Sequence, residues 1–408
     1  MIKLTKKNTL LQKGGYKVGQ GSFGCVISPN IPCSPDKKYF KPTVSKLVAI
    51  RDKHSLTELH EEIRINKLLN KIDPSNKYFI SIVDVCKISQ INHKQLETRD
   101  NISLHHYDSN IEKHNKCSIN KNRVNYNLIM PFAGNDLFHV IEDDKSEFKM
   151  SIMTSKIKFI VKHLLSAIKL LHKHQIIHQD IKLENITFNL NIPEKRIECG
   201  IIDFGIAYDV RKMGANDDIF SYNVGTPGYI PPEAYIAELI YIYGIHKLNN
   251  PNVKKQILKK LNHELSDSSM FYESIGMYNS IFKKKKITRD TLLEFISPNS
   301  YSASNSYFNS IELSEVYDIY TDLIKHDKIV IEYFKSDGTG LFYKYDIYAM
   351  GIVFYQIFKT LKLEDPSLLD LIQNMIIINP FKRYNTDQCL AHPYLQNLPI
   401  RKTKRRSL

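Results

Sequence analysis

The chain has 408 residues, 42% hydrophobic and 25% charged, the balance of a globular protein with a sizeable core. No apolar run approaches the roughly 18–20 residues that a bilayer span needs. The opening MIKLTKKNTLLQ lacks an apolar block long enough for a signal peptide, so a soluble, intracellular (cytoplasmic) protein is expected. The formal net charge of +14 admits nucleic acid or an anionic surface as partner, but lysine is spread along the whole chain, as on a solvated basic surface.

In chain order, residues 14–48 read as strand and turn, with branched apolar residues broken by Gly and Pro. SLTELHEEIRINKLLNKID (55–73) reads as a helix with Ser55 as N-cap. YFISIVDVC (78–86) and NYNLIMPF (125–132) read as strands, and the polar stretch between them as a long surface loop. KIKFIVKHLLSAIKLLHKH (156–174) is a strongly apolar helix, followed by short strands in IIHQD and ECGIIDFG. Residues 235–343 turn Lys-, Asn-, Tyr- and Ser-rich, and DIYAMGIVFYQIF and PSLLDLIQNMIII then return to apolar helix. No internal repeat of fixed period is present.

The six cysteines lack paired spacing and read as reduced thiols. His105, His106, His114 and Cys117 lie close in sequence, but their spacing fits no zinc pattern. Two basic clusters, KKKK (283–286) and RKTKRR (401–406), could dock an acidic partner, and the second resembles a nuclear address. Exposed loop and tail is the plainer reading of both.

Chemistry-bearing residues concentrate in four places. VGQGSFGCV sets Gly19, Gly21 and Gly24 as G-x-G-x-x-G before Val26. Dinucleotide-binding folds use the same spacing, but they open a helix at once. Here CVIS follows, a β-forming run, so the turn joins two strands, either as a cover for phosphates or as a plain surface hairpin. TVSKLVAI carries one cation, Lys46, inside an apolar strand. Buried there, it needs a partner, and Glu62 of the next helix offers one, although lysines on exposed strand faces are common. IIHQDIKLENIT then supplies Asp180, Lys182 and Asn185, and IIDFG supplies Asp203. Asn185 and Asp203 carry the hard oxygens that Mg2+ takes. Asp180, with no obvious competing cation beside it, can accept a hydroxyl proton, and Lys182 can steady a transferring phosphoryl group.

GQGSFGCV, SKL, HQDIKLEN, DFG and GTPGYIPPE occur in order over residues 14–395, and the set resembles a eukaryotic-type protein kinase. The resemblance implies an α+β, two-lobed fold with ATP in the cleft between lobes. The small β-rich lobe is expected at 14–132, with a polar insertion at about 87–124. The large helical lobe is expected at 133–395, with an insertion at about 235–343, and a basic tail at 396–408. The resemblance also implies Lys46 paired to Glu62, Asp180 as catalytic base, and Asn185 and Asp203 on Mg2+. Met130, in LIMPFAG, is expected at the back of the nucleotide pocket, within one residue; Pro131 lacks an N–H for adenine. Glu233 is expected to pair with Arg383, while Asp346 and Gly351 resemble the buried Asp and Gly of the central large-lobe helix. Lys182 with Thr226 resembles the serine/threonine branch, and the Ile-, Lys- and Asn-rich composition with long insertions resembles kinases of large DNA viruses.

The chain departs from that pattern in three further places. The 235–343 insertion falls where the family has a short connection, and the helix usual between Gly351 and Arg383 is expected to be shortened or lost. Asn66 stands where an apolar residue is usual one turn after Glu62, so Glu61 is an alternative register. Gln179 stands where arginine is commonest beside the catalytic Asp. A neutral amide has no need of a phosphorylated residue, so activity without activation-loop phosphorylation is expected. The leading expectation is transfer of the γ-phosphoryl group of ATP to Ser or Thr of a protein. A catalytically silent scaffold, a small-molecule kinase and a basic nucleic-acid binder are the alternatives.

Overall fold

The computed structural model describes residues 16–21, 24–34, 36–39, 42–87, 125–143, 147–191, 196–212, 224–231, 234, 340–377 and 379–396. It divides into two compact units, Met1–Gly134 and Asn135–Leu408. The possible metal group around His105, both basic clusters, Ser221, Tyr222 and Glu233 lie outside the described residues, as do nearly all of 87–124 and 235–343.

The first unit is built on an antiparallel sheet of β1 (Tyr16–Gly21), β2 (Gly24–Ser28), β3 (Thr43–Ala49), β4 (Asp84–Lys87) and β5 (Asn125–Pro131), in the order β1-β2-β3-β5-β4. Gly21 pairs with Gly24 across β1 and β2, so the third glycine opens a strand and the dinucleotide-binding alternative falls away. Directly paired residues share a sheet face. Val26 opposite Lys46, and Lys46 opposite Leu128, therefore put these three on one face, with Val44 and Met130 beside them. Helix α1 (Lys53–Ile72) lies on that face, burying Leu59, Glu62, Ile65, Asn66 and Leu69. Leu59 packs with Val48, Ile82 and Leu128, and Met130 lies half-buried against the same cluster.

Two boundaries differ from the sequence reading. The helix starts at Lys53 because Asp52, not Ser55, is the N-cap. Ser55 sits at the third helical position, and the two side chains satisfy each other's backbone N–H in a capping box. The predicted strand 78–86 shrinks to Asp84–Lys87. The N–H groups of Lys77, Tyr78 and Phe79 all donate to the Asp73 carboxylate, which curls that stretch into a turn.

The other sheet face is covered by the connection between β2 and β3. Ile31 is fully buried; its N–H donates to Ser45 Oγ and its carbonyl accepts from Asn127. Lys37 Nζ lies 2.8 Å from Asp84, and Tyr39 Oη donates to the same carboxylate at 2.7 Å. Burial alone would raise that carboxyl, but the two donors hold it below the ordinary carboxylate range. Farther along, Cys33 and Cys86 form a disulfide with Cα atoms 5.7 Å apart. This corrects the expectation of reduced thiols throughout: folding brings together two cysteines 53 residues apart, which no local spacing signals. Cys199 and Cys389 are free and buried, and burial pushes the Cys199 thiol up to about 12.

In the second unit, α2 (Glu147–Lys173) is long and apolar. Two small sheets follow it. β7 (Ile176–Ile177) pairs with β10 (Tyr208–Asp209), while β8 (Ile186–Asn191) lies between β6 (Asn135–Asp136) and β9 (Arg196–Ile201). Helix α3 (Lys344–Thr360) is buried along most of its length. One helix, α4 (Pro366–Met375), stands between α3 and Arg383, and it packs tightly where Gly351 leaves room. A Cβ on Gly351 would lie 2.6 Å from Ile376 Cγ2 and 3.0 Å from Met375 Cβ. The short helices α5 (Thr386–Ala391) and α6 (Pro393–Gln396) complete the unit. Among the described residues no helix is long and apolar enough to cross a membrane.

Candidate active site

In the first unit, Lys46 and Glu62 are both buried, 8% and 6% exposed. A cation buried in an apolar strand is tolerated only with a partner. Lys46 Nζ donates to Glu62 Oε1 at 2.8 Å. Glu61, the alternative register, turns away and accepts from both Nε and Nη2 of Arg64 three residues on. Val26 is half-buried beside Lys46. Gly19, Gly21 and Gly24 lie in the β1–β2 hairpin, whose tip (22–23) is outside the described residues.

In the second unit, a buried carboxylate organises the loop after β7. Asp346, fully buried on α3, accepts from the backbone N–H groups of His178 and Gln179 at 3.0 Å each. His172 Nε2 also lies 3.0 Å from it. These bonds hold Gln179 at φ 64, a left-handed conformation uncommon for a residue with a side chain. His178 is the next brace. Its Nδ1 accepts from the Asp180 N–H, so Nε2 carries the proton and donates to Ile202 O at 3.0 Å. The Ile202 N–H in turn donates to Asn185 O. The loops carrying Asp180, Asn185 and Asp203 are thus tied to one another, by the His178 ring and by the Ile202–Asn185 backbone bond.

Asp180 is the hub of the polar cluster. Thr226 Oγ1 donates to its Oδ1 at 2.6 Å, and Asn185 Nδ2 donates to its Oδ2 at 2.9 Å and to its backbone carbonyl at 2.8 Å. Lys182 Nζ lies 3.0 Å from Oδ2 and donates to Thr226 Oγ1 at 2.7 Å. The expectation that Asp180 has no cation beside it is therefore corrected. Lys182 is in extended backbone, and its long side chain folds back onto the carboxylate two residues earlier. The arrangement leaves Asp180 mostly covered, with hydrogen-bond donors fixing its orientation.

Asn185 turns its amide nitrogen to Asp180, which directs its oxygen away from that carboxylate. Asp203, at φ 61 on the loop after β9, adds a carboxylate. Among the described residues no group of three or more His, Cys, Asp and Glu side chains gathers as a metal site. Mg2+ needs none, because it takes one or two protein oxygens and completes its shell with water and phosphate oxygens. The donor set of Asn185 and Asp203 fits that ion.

Sequence reading missed the support around Thr226. Gly225 has φ +123, and a Cβ there would lie 2.5 Å from the Gln179 carbonyl oxygen. Tyr345 donates to the Val224 carbonyl. Nothing in the sequence marks Tyr345, whereas Gly225 stands in the quoted GTPGYIPPE. Arg383, 1% exposed, donates to the carbonyls of Ile377 and Lys344 and lies over the Tyr348 ring.

The protein kinase domain pattern matches residues 13–241. The chain is 21% identical over 276 residues to mitogen-activated protein kinase 13 of Bos taurus, covering 68% of this chain and 58% of that protein. It is 25% identical over 182 residues to the serine/threonine-protein kinase TIO of Arabidopsis thaliana, covering 42% and 13%. Against the meiosis-specific serine/threonine-protein kinase MEK1 of Saccharomyces cerevisiae it is 33% identical over 120 residues, covering 29% and 22%. The chain thus spans between 13% and 58% of the length of these relatives. With the glycine hairpin, the buried Lys46–Glu62 pair and the Asp180 cluster described above, the match has one outcome: the chain belongs to the protein kinase domain family.

Proposed function

We propose that the protein transfers the γ-phosphoryl group of ATP to Ser or Thr hydroxyls of a protein substrate. The observation that carries this reading is the Asp180 cluster: a carboxylate oriented by Thr226 and Asn185, with Lys182 at 3.0 Å. Asp180 accepts the proton of the attacking hydroxyl, and Lys182 balances charge on the phosphoryl group in flight. Lys46, held by Glu62, takes the α- and β-phosphates, under a cover of backbone from Gly19, Gly21 and Gly24. Val26 and Met130 supply apolar contact to the nucleotide. Asn185 and Asp203 would hold Mg2+, which supplies neutralisation of phosphate charge when bound. The two named serine/threonine kinases above, and the Lys182–Thr226 bond, favour hydroxyl acceptors of the Ser/Thr type. The test is transfer of label from ATP with Mg2+ to Ser or Thr of a generic basic protein; transfer to neither the chain nor that protein would favour a scaffold.

The domain assignment is part of the proposal: a nucleotide-holding N-lobe at 14–132, a substrate-side C-lobe at 133–395, and insertions at about 87–124 and 235–343. Activity independent of activation-loop phosphorylation is a further part. Gln179 is neutral, and its backbone conformation is fixed by Asp346. Replacing Ser221 and Tyr222 together should lower the rate by less than about tenfold, or about 1.4 kcal/mol. A larger loss contradicts independence.

Gly225 offers a sharper probe of the substrate side. Gly225→Ala must push Val224–Thr226 off Gln179, since the new Cβ meets backbone at 2.5 Å. Misplacing a positioning group by about 1 Å costs on the order of a hundredfold in rate. The expected result is a loss of that size in kcat with nucleotide affinity little changed. Gly228→Ala is the control: its φ is +84, but nothing lies within 4 Å of the new Cβ. It should retain most of the rate, and equal losses in both variants would sink the argument.

A further inference from the structure

We infer that Asn66 and Asn70 form a clamp on the backbone of Ile82 that fixes α1 against the sheet and thereby keeps Glu62 on Lys46. Both are positioning residues. The inference rests on the reading of Lys46 as the ligand of nucleotide phosphates.

The buried stripe of α1 is Leu59, Glu62, Ile65, Asn66 and Leu69. Two of these are polar, and Glu62 has its partner in Lys46. Asn66 is 3% exposed, where an unbonded amide is strongly disfavoured. Its amide groups are used in two directions. Nδ2 donates to the Glu62 carbonyl at 2.8 Å, and Oδ1 accepts from the Ile82 N–H at 3.0 Å. One helical turn on, Asn70 Nδ2 donates to the Ile82 carbonyl at 2.8 Å. The helix therefore grips both peptide groups of one residue, the pairing that a neighbouring strand would otherwise give.

These bonds close a ring within the first unit. The next N–H, that of Val83, donates to Ile129 O in β5. Leu128 of β5 is opposite Lys46 in β3, and Lys46 holds Glu62. Asp73 stiffens the connection between α1 and Ile82 by accepting from Lys77, Tyr78 and Phe79. An apolar residue at position 66 would leave α1 free to slide, because hydrophobic contact is non-directional. Hydrogen bonds weaken steeply with distance and angle, so this pair fixes the register of the helix. The Lys46–Glu62 pair is then built into the unit and needs no movement of α1 to form.

The experiment measures the affinity of the whole chain for a fluorescent ATP analogue with Mg2+, in wild type, Asn66→Leu, Glu62→Gln and the double variant. Acting through Glu62, Asn66→Leu should weaken binding about tenfold in the wild-type background and less than about twofold in the Glu62→Gln background. Equal losses in both backgrounds, or none in the first, would overturn the clamp, since a merely structural role gives no coupling to Glu62. Should Asn66→Leu fail to fold, Asn70→Ala, which removes the half-buried arm, must show a smaller loss with the same coupling. Wild-type protein that binds no nucleotide overturns the phosphate reading of Lys46 and the inference with it, an outcome distinct from additive losses in a binding-competent chain.

Discussion

Lys46→Met should cost the protein both its transfer activity and part of its stability. The lysine is 8% exposed and its partner Glu62 is 6% exposed, so removing the cation strands a buried carboxylate. Breaking a buried pair by deleting one partner costs about 3–5 kcal/mol. Thermal unfolding should therefore start several degrees earlier, and transfer should fall about a hundredfold to a thousandfold as the phosphates lose their positioned cation. Removing both charges separates the two effects. Lys46→Met with Glu62→Leu should recover much of the stability, since replacing a buried pair with apolar residues is near neutral. It should recover none of the transfer. An Lys46→Met chain with wild-type melting would mean that Glu62 finds another cation. Recovered transfer in the double variant would remove Lys46 from the phosphate role.

Much of the first unit was legible because its physics is local or nearly so. A lysine in TVSKLVAI needs a buried partner, and the following helix can supply it. The sequence favours Glu62, which places Ile63 and Leu69 toward the core, and keeps Glu61 as the alternative register. Helix phase settles it: Glu62 shares the buried stripe with Leu59 and Leu69, whereas Glu61 reaches Arg64. The helix starts at Lys53, behind Asp52 as N-cap, because two good capping residues, Asp52 and Ser55, compete and then cooperate. The strand at 78–86 was over-read because its apolar pattern gives no sign that Asp73 captures three of its neighbours' N–H groups. Asn66 looked like a flaw in an apolar stripe. Its reason lies sixteen residues away, in the Ile82 N–H.

The second unit shows the same division. Asp180, Asn185 and Asp203 announce themselves by residue type on short loops after strands. Their orientation depends on partners far along the chain, which spacing does not reveal. Asp346 sets the Gln179 backbone from 167 residues away, and Thr226 reaches Asp180 across 46. The Lys182–Asp180 contact is of a different kind, because it is local: residues two apart on an extended chain share a side, and a lysine there is long enough to reach the carboxylate. The Cys33–Cys86 bridge was illegible because two cysteines 53 residues apart carry no spacing signal.

Asp180→Asn tests the central claim most directly. Asparagine keeps the shape of the side chain and an oxygen for Thr226 to donate to, while its amide nitrogen replaces the oxygen that accepts from Asn185 and faces Lys182. The loop should still hold, because Asp346 fixes it through the backbone N–H groups of His178 and Gln179. An amide cannot take a hydroxyl proton at neutral pH, and loss of a positioned base costs about a hundredfold to ten-thousandfold. The measurement is phosphoryl transfer from labelled ATP with Mg2+, beside nucleotide affinity, for the wild type and this variant at equal concentration. The account predicts affinity within about threefold and transfer reduced by at least about a hundredfold. Equal transfer by the two forms would contradict it, and Asp180 would not be the base.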